Sequence, residues 1–235
     1  MASKIMHVTL VLFLSTTMLA ATLAPSGSIN GQVDQVLNNM QRAGSAVKTF
    51  QSDLLLEKRD VLIGGRPEVY QGTLIYKRAG KGNDKLRITY RSRDQVIQDL
   101  SVVGNKIVLY QPTINQVTIT SREAQAARNP EFSFISTPYK STAELKAAYD
   151  IVHLGDENAG GARCSVLELT PKAKGLLAKQ DFWVSQSTWL PVKYKIWERN
   201  GEVSTFTLTN MKTNGDIPDS SFTIKWKDGT RELRK

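Results

Sequence analysis

The sequence predicts a mainly β, α+β protein built on one large, curved antiparallel sheet or open barrel of about 10 or 11 strands, with a few helices. Short runs of β-branched and aromatic residues, separated by glycine, proline and asparagine turns, recur from residue 47 to residue 226. One helix-prone stretch interrupts them, and no composition shift marks a domain boundary. Asn200-Gly201 lies between two β-prone runs, which is the strongest short-range hairpin signal. A barrel of this size can enclose a ligand.

An amphipathic helix is predicted over residues 29–46, ahead of the first strand. Gly44 lies near its expected end. Its apolar residues recur at the spacing of one helix face: Val33, Val36, Leu37 and Met40. Such a stripe indicates packing against the core more often than a binding groove.

Three strands are predicted next, over residues 47–58, 70–78 and 86–90. Side chains two positions apart share a face of a strand. The faces expected on this basis are Phe50, Ser52, Leu54 and Leu56 in the first strand, Gly72, Leu74, Tyr76 and Arg78 in the second, and Leu86, Ile88 and Tyr90 in the third.

The remaining chain continues this meander around one helical insertion. The insertion comprises the helix-prone stretches 121–128 and 137–149. Further strands are predicted at 95–103, 106–110 and 116–120 before the insertion, and at 151–154, 163–170, 179–187, the Asn-Gly hairpin and 222–226 after it.

A two-residue type I′ turn at Asn200-Gly201 predicts the hairpin register. It pairs Ile196 with Thr205, Tyr194 with Thr207 and Val192 with Thr209. One face then carries Val192, Tyr194, Ile196 and Val203, and the other carries Trp197, Phe206 and Leu208 among Lys193 and Lys195. Because neither face is wholly polar, we expect apolar surroundings on both sides: a helix and a cavity, or core on both.

Residues 1–26 are predicted to be a secretory signal peptide, and residues 27–235 a single domain. Lys4 precedes the apolar residues 8–14 and 18–21, and small residues follow. An uncleaved membrane anchor is the alternative, but the apolar run is short and interrupted by residues 15–17. Pro25 leaves the cleavage site uncertain, and the absence of a nearby cysteine argues against an amino-terminal lipid anchor.

Composition describes a globular protein, with 40% hydrophobic and 23% charged residues. The net charge of +9 suits an acidic partner or an anionic head-group surface, or serves solubility alone, since the basic residues form no long run.

Little in the sequence indicates catalysis. The only cysteine, Cys164, and His153 both lie in strand-like runs and are expected to be structural. No nucleophile elbow, phosphate-binding glycine loop or metal-ligand spacing is present. We therefore expect no enzyme activity, cofactor, metal site or nucleic-acid partner.

The order of these landmarks resembles the outer-membrane lipoprotein carrier family, LolA, over roughly residues 29–228. Each landmark is weak alone, but their order and spacing together are fairly specific. They are Phe50, GTLIYKR at 72–78, LRITY at 86–90, YQP at 110–112 with NQV at 115–117, LTP at 169–171, LP at 190–191, Asn200-Gly201, Asn214 and Phe222.

The resemblance implies an unclosed antiparallel barrel with lid helices over an apolar cavity. The arginine that ties barrel to lid in the family corresponds to Arg78, and a cavity residue corresponds to Leu86. The family usually has a proline after this arginine, where this chain has Ala79 and a longer basic turn, and residues 122–130 resemble an enlarged lid. The expected cavity lining is Phe50, Leu54, Leu74, Tyr76, Leu86 and Ile88.

The function implied by the resemblance is that of a periplasmic, monomeric carrier. It would bind the acyl chains of lipoproteins, receive them from an inner-membrane ABC transporter and deliver them to an outer-membrane receptor. The alternatives are a lipid-binding envelope-stress sensor or regulatory module with the same open barrel, and a secreted enzyme of unrecognised type.

Overall fold

The computed structural model describes residues 29–80, 82–122 and 140–234. Helix α1 spans Ile29–Ala46 and helix α2 spans Thr142–Ala148. The strands are β1 (Thr49–Asp60), β2 (Glu68–Lys77), β3 (Lys85–Ser92), β4 (Gln95–Val103), β5 (Lys106–Gln111), β6 (Gln116–Ser121), β7 (Tyr149–Ala159), β8 (Ala162–Pro171), β9 (Leu177–Ser185), β10 (Pro191–Glu198), β11 (Glu202–Thr213) and β12 (Arg231–Arg234).

All twelve strands of this described part form one open sheet in the order β12-β6-β5-β4-β3-β2-β1-β11-β10-β9-β8-β7. Neighbouring strands are antiparallel except β12, which pairs parallel with β6. The predicted fold class, an unclosed antiparallel sheet with helices, is therefore confirmed. The strand count exceeds the prediction, and one strand that the sequence did not indicate is β12, whose four residues include three charged side chains.

The two helices cover one face of this sheet, which we call the inner face. Apolar side chains of α1 and Leu145 of α2 join the inward side chains of the strands in one buried cluster. The α1 members of the cluster are the four predicted stripe residues, Val33, Val36, Leu37 and Met40. The periodicity of 3.6 residues thus identified both the helix and the side it buries.

The β10–β11 hairpin has a different register from the predicted one. Trp197 pairs with Val203 and Tyr194 with Phe206, because the loop has three residues instead of two. The Gly201 N–H donates to the Glu198 carbonyl at 3.1 Å, and within the loop only Gly201 has positive φ, +94°. This is a type I turn followed by a glycine bulge, in place of type I′.

The one-residue shift exchanges the faces of β11 relative to β10. Phe206 and Leu208 join Tyr194 and Ile196 on the inner face, where all four are buried. Val192 also departs from the prediction, since it lies at a bulge and packs with Cys164, Val166 and Trp183. The outer face of the hairpin retains Lys193, Lys195 and Trp197.

Residues 222–226, expected to form a strand, pair with no strand. A 3-10 helix at Asp219–Phe222 leads instead into an extended segment on the outer face of β3 to β6. Ile224 packs there with Tyr110 and Val117. The segment is extended and packs one side against the sheet, so every second residue is buried. This gives the alternation typical of a strand although the segment pairs with no strand.

Of the predicted helical insertion, the described part contains α2. Its N-terminus has a capping box, in which Ser141 and Glu144 hydrogen-bond each other's backbone N–H. Most of the stretch 121–128 and the predicted signal peptide lie outside the described residues. Neither described helix has both the length and the apolar character needed to cross a membrane.

Candidate functional site

The six residues predicted to line a cavity all lie on the inner face. The antiparallel register places Phe50, Tyr76 and Leu86 in one row across β1, β2 and β3. Leu74 and Ile88 form the next row, and Leu54 lies one position further along β1, opposite Gly72. All six are buried in the cluster that includes the α1 stripe.

Gly72 leaves unusually little space between β2 and β3. A Cβ atom at this position would lie 2.3 Å from the Thr89 carbonyl oxygen, far inside contact distance. Any other residue would push the two strands apart. Glycine here therefore lets β3 approach closely at the centre of the predicted lining.

Arg78, just beyond the end of β2, reaches from the sheet to the C-terminal end of α1. Its guanidinium donates to the Ser45 carbonyl at 2.6 Å and to the Gly44 carbonyl at 2.8 Å. These carbonyls belong to the last turn of α1, where carbonyls lack partners within the helix and the helix dipole favours a cation. Arg78 thus joins the end of β2 to the end of α1, and its role as the arginine that ties barrel to lid stays a prediction.

A tyrosine and a carboxylate, Tyr76 and Asp84, lie next to Arg78. The Tyr76 hydroxyl donates to Asp84 at 2.8 Å, and the Ala79 and Gly80 N–H groups also donate to Asp84. Burial alone would raise the pKa of Asp84, but these hydrogen bonds and the Arg78 charge lower it overall. Burial raises the pKa of Tyr76 to about 12. At neutral pH the group is thus a neutral phenol between a cation and an anion.

Asn214 is a second anchor of α1 to which the sequence interpretation gave no role. Its side chain accepts from the Lys48 N–H at 2.7 Å and donates to the Ala46 carbonyl at 3.3 Å. Its backbone has a φ of +59°, and its side-chain amide contacts the segment at the end of α1. An asparagine before glycine, just after a strand, is the local signal for such a conformation.

One polar group interrupts the apolar lining. Ser52, between Phe50 and Leu54 on β1, is 1% exposed, and its hydroxyl has no hydrogen-bond partner among the described residues. A buried hydroxyl without a partner costs free energy, so this position is a weak point in the packing of the inner face.

A hollow of about 300 Å³ opens elsewhere, where β7 meets the two helices. None of the six predicted residues lines it. Its lining consists of Val33, Lys146, Tyr149, Asp150, Ile151, Val152 and Lys172. It lies beside α1, which contributes Val33 to the lining.

The two residues considered for catalysis, Cys164 and His153, both lie in strands. Cys164 is fully buried, and burial raises the pKa of its thiol. His153 lies on β7, with its Nε2 3.7 Å from an Asp156 oxygen. Within residues 29–80, 82–122 and 140–234, no three His, Cys, Asp or Glu side chains form a group that could hold a metal ion.

Comparison with known families identifies the relationship of this chain. The family model described as "Outer membrane lipoprotein carrier protein LolA" matches residues 64–225, more than half of the chain. Arg78, Leu74, Tyr76, Leu86 and Ile88 lie inside this stretch. Helix α1 and strand β1, with Phe50 and Leu54, precede it.

A curated relative and two solved structures are also similar to this chain. The uncharacterized protein MJ0687 of Methanocaldococcus jannaschii is 24% identical over 200 residues, covering 84% of this chain and 52% of the relative. This chain therefore spans about half the length of that relative.

Among solved structures, an uncharacterized conserved protein from Thermus thermophilus has a TM-score of 0.55 at 9% identity, covering 87% of this chain and 99% of its own. MucB of Pseudomonas aeruginosa, in its complex with MucA, has a TM-score of 0.51 at 15% identity, covering 83% and 61%. At these identities the two structures show a shared fold alone.

Proposed function

Because the chain belongs to the outer-membrane lipoprotein carrier (LolA) family, whose members are extracytoplasmic carrier or binding proteins for lipids and lipoproteins, we propose that it is a periplasmic lipoprotein carrier. In this proposal the inner face takes up the acyl chains of a lipoprotein. The protein then transfers them from the inner membrane to the outer membrane, without a cofactor.

The observation that carries the proposal is the pairing of an apolar face with a tethered helix. Six buried apolar or aromatic side chains on β1, β2 and β3 belong to the same buried cluster as the α1 stripe. The same helix is tied to the sheet at its C-terminal end through Arg78. In this proposal an acyl chain replaces the α1 side chains in this cluster, so uptake moves α1 away from the sheet.

Energies of the two states explain why a tether is useful. Burying an acyl chain yields ~0.8 kcal/mol per methylene, on the order of 10 kcal/mol for a chain of common length. A carrier that bound so tightly would not release its cargo unless the empty form were also stabilised. Hydrogen bonds from a guanidinium to carbonyls are worth ~1.5–3 kcal/mol each, and Arg78 makes two of them to α1.

Uptake and release place different demands on this site. Side chains such as Leu86 would contact the acyl chain in the loaded state. Arg78 would favour the helix-closed state and so promote delivery. A ligand shifts such an equilibrium only by its differential affinity for the two states. Removing the Arg78 hydrogen bonds should therefore favour retention of cargo.

Partners follow from this scheme and are part of the proposal. The donor would be an inner-membrane ABC transporter and the acceptor an outer-membrane receptor. The chain is expected to act as a monomer after removal of residues 1–26 as a signal peptide.

The test is a two-step assay in which an acylated lipoprotein is loaded from inner membranes and then passed to an outer-membrane receptor. Arg78→Leu should load at least as well as the wild type and transfer poorly. Arg78→Lys should fall between them, since lysine keeps the charge but lacks the planar fork. Leu86→Glu should fail at loading, because a buried unpaired carboxylate costs several kcal/mol.

Ile75→Glu is the matched control for Leu86→Glu, since Ile75 lies on β2 but points to the outer face. It should load normally once its thermal stability is accounted for. An Arg78→Leu protein that loads badly but transfers normally would contradict the tether. Normal loading without delivery in the wild type would favour a regulatory lipid-binding module over a carrier.

A further inference from the structure

The loop between β1 and β2 exposes three consecutive large apolar side chains. Val61, Leu62 and Ile63 are 55%, 75% and 85% exposed. We call these three residues the apolar tip. Scattered exposed apolar residues are ordinary, but a contiguous exposed group is unfavourable in water and indicates an interaction site.

The apolar tip has a defined conformation. The Asp60 carboxylate accepts hydrogen bonds from the Leu62 N–H at 2.8 Å and the Ile63 N–H at 3.1 Å. The Asp60 carbonyl accepts from the Gly64 N–H at 3.0 Å. An aspartate that caps the turn in this way holds the side chains outward. Their exposure is therefore built into the turn.

A neighbouring turn supports the apolar tip from one side. The Val61 N–H donates to the Gly201 carbonyl at 2.9 Å. The Leu62 side chain lies so close to Gly201 that a Cβ there would be 2.5 Å from Leu62 Cγ. The β10–β11 turn thus braces the stem of Leu62 while most of that side chain stays exposed.

Exposed cationic and apolar side chains also occur in the segments next to the apolar tip. Arg59, Arg66 and Arg199 are exposed. The Arg199 backbone N–H donates to the carbonyl of Leu176, which is itself 47% exposed, and the Arg199 Nε donates to the Gly175 carbonyl at 3.0 Å. Of the carboxylates at this end of the sheet, Asp60 is engaged in the turn and Glu202 pairs with Lys58 at 3.1 Å. Glu68 accepts from the Tyr70 hydroxyl and Glu198 from the Asn200 side chain. Exposed apolar and arginine side chains thus occur together in the β1–β2 loop and the adjoining β10–β11 turn.

We propose that the apolar tip inserts into the interfacial region of an anionic lipid bilayer, with Arg59, Arg66 and Arg199 contacting lipid phosphates. A protruding tip needs a continuous apolar medium or a matching groove to bury it. The three exposed arginines in the flanking segments favour the bilayer, because basic residues near an anionic surface add to insertion of apolar side chains.

This inference goes beyond the proposed carrier function. The six residues proposed to bind cargo lie on the inner face, whereas the apolar tip lies at the end of the sheet. It also immediately precedes residues 64–225, the stretch matched by the family model. Membrane contact at the apolar tip would bring the protein to a bilayer whatever cargo the inner face takes.

The first test is co-sedimentation with vesicles of phosphatidylcholine alone and of phosphatidylcholine with about 30% phosphatidylglycerol. The wild type should bind the anionic vesicles, and binding should weaken as salt rises. The double variant Leu62→Ser/Ile63→Ser should bind them about tenfold or more weakly. It should keep its thermal stability and its uptake of a soluble fluorescent acyl probe, which separates this inference from the carrier proposal.

The matched control is Val103→Ser/Leu154→Ser, which removes two apolar side chains that are 40% and 53% exposed elsewhere on the sheet. It should bind anionic vesicles like the wild type. Equal loss in both double variants would mean non-specific adsorption and overturn the proposal. Unchanged binding by the tip variant would overturn it as well.

A second readout distinguishes insertion into lipid from contact with a protein. An environment-sensitive fluorophore on Ile63→Cys should shift to shorter wavelength with anionic vesicles and be quenched by lipids carrying a spin label. The same fluorophore on Val103→Cys should do neither, and unlabelled Cys164 is buried. Water-like emission from position 63 in the presence of vesicles would exclude insertion.

Discussion

Asp181 is a carboxylate whose position on β9 sets its charge state. It lies on the outer face, opposite Glu168 on β8 and Lys195 on β10, and only 6% of it is exposed. Its Oδ1 has no hydrogen-bond partner in the described part of the chain. Burial raises the pKa of Asp181 to about 6, and the Lys179 charge offsets this only in part.

This environment predicts that Asp181→Asn stabilises the protein at pH 7.5. The pKa is raised above its unfolded value of 3.8, so the proton-linked stabilisation is complete below pH 3.8 and lost as the pH rises through about 6. Ionisation should cost ~1–3 kcal/mol at pH 7.5. Urea unfolding should therefore show that gain for the variant at pH 7.5 and little gain at pH 4.

Asp228→Asn, a change at an exposed carboxylate, is the control and should alter the free energy of unfolding little at either pH. An equal gain for Asp181→Asn at both pH values would mean that packing, and not ionisation, explains the effect.

At the scale of the element, the β10–β11 hairpin depends on Gly201. This residue has a φ of +94° and touches Leu62. Its three-residue turn produces the register that places Phe206 and Leu208 on the inner face. The turn therefore determines which β11 side chains join the apolar inner face.

Gly201→Ala should destabilise the protein by ~1–3 kcal/mol, because alanine is strained at this φ and its Cβ would meet Leu62. Gly161→Ala is the matched control, since Gly161 has a φ of +78° with nothing near its missing Cβ. It should show the strain alone. The excess loss at position 201 should disappear in a Leu62→Ala background, as measured by urea unfolding. Equal losses at both glycines would rule out the steric part.

At the scale of the whole molecule, residues 216–234 cross the outer face and join distant strands. We call them the C-terminal strap. Asp219 pairs with Lys77 at 2.9 Å and Lys85 at 2.7 Å, and these hydrogen bonds lower the pKa of Asp219 to about 2. Arg87 donates to the Ser221 carbonyl at 2.9 Å. The strap ends as β12 beside β6.

Phe222→Ala should lower the free energy of unfolding by ~3–5 kcal/mol, because Phe222 is 2% exposed and its removal leaves a cavity between the strap and β3 and β4. Lys225→Ala, at an exposed position of the same strap, should cost little. Urea unfolding followed by fluorescence and by circular dichroism provides the measurement. A loss below about 1 kcal/mol for Phe222→Ala would show that the strap is peripheral to stability.

Local patterns were sufficient for much of the fold. The bounds predicted for α1 agree with the structure, because apolar periodicity and Gly44 are both readable within a few residues. The alternation at Phe50, Leu54 and Leu74 likewise assigned the buried face of β1 and β2. Longer-range features were less predictable: residues 222–226 alternate like a strand but cover a sheet face.

The sequence by itself determined the mainly β class, the amphipathic first helix and the side chains that share a face in each of the first three strands, since each depends on residues close together in the chain. Arg78 was identified only through the resemblance to the family. Only the tertiary structure decided the hairpin register, the parallel pairing of β12, the role of Asn214 and the exposure of Leu62 and Ile63. These depend on contacts between residues far apart in sequence. The Asn200-Gly201 turn is compatible with two loop lengths, and the apolar run at residues 61–63 could be buried or exposed. In each case the free energy of packing the whole sheet selects one arrangement.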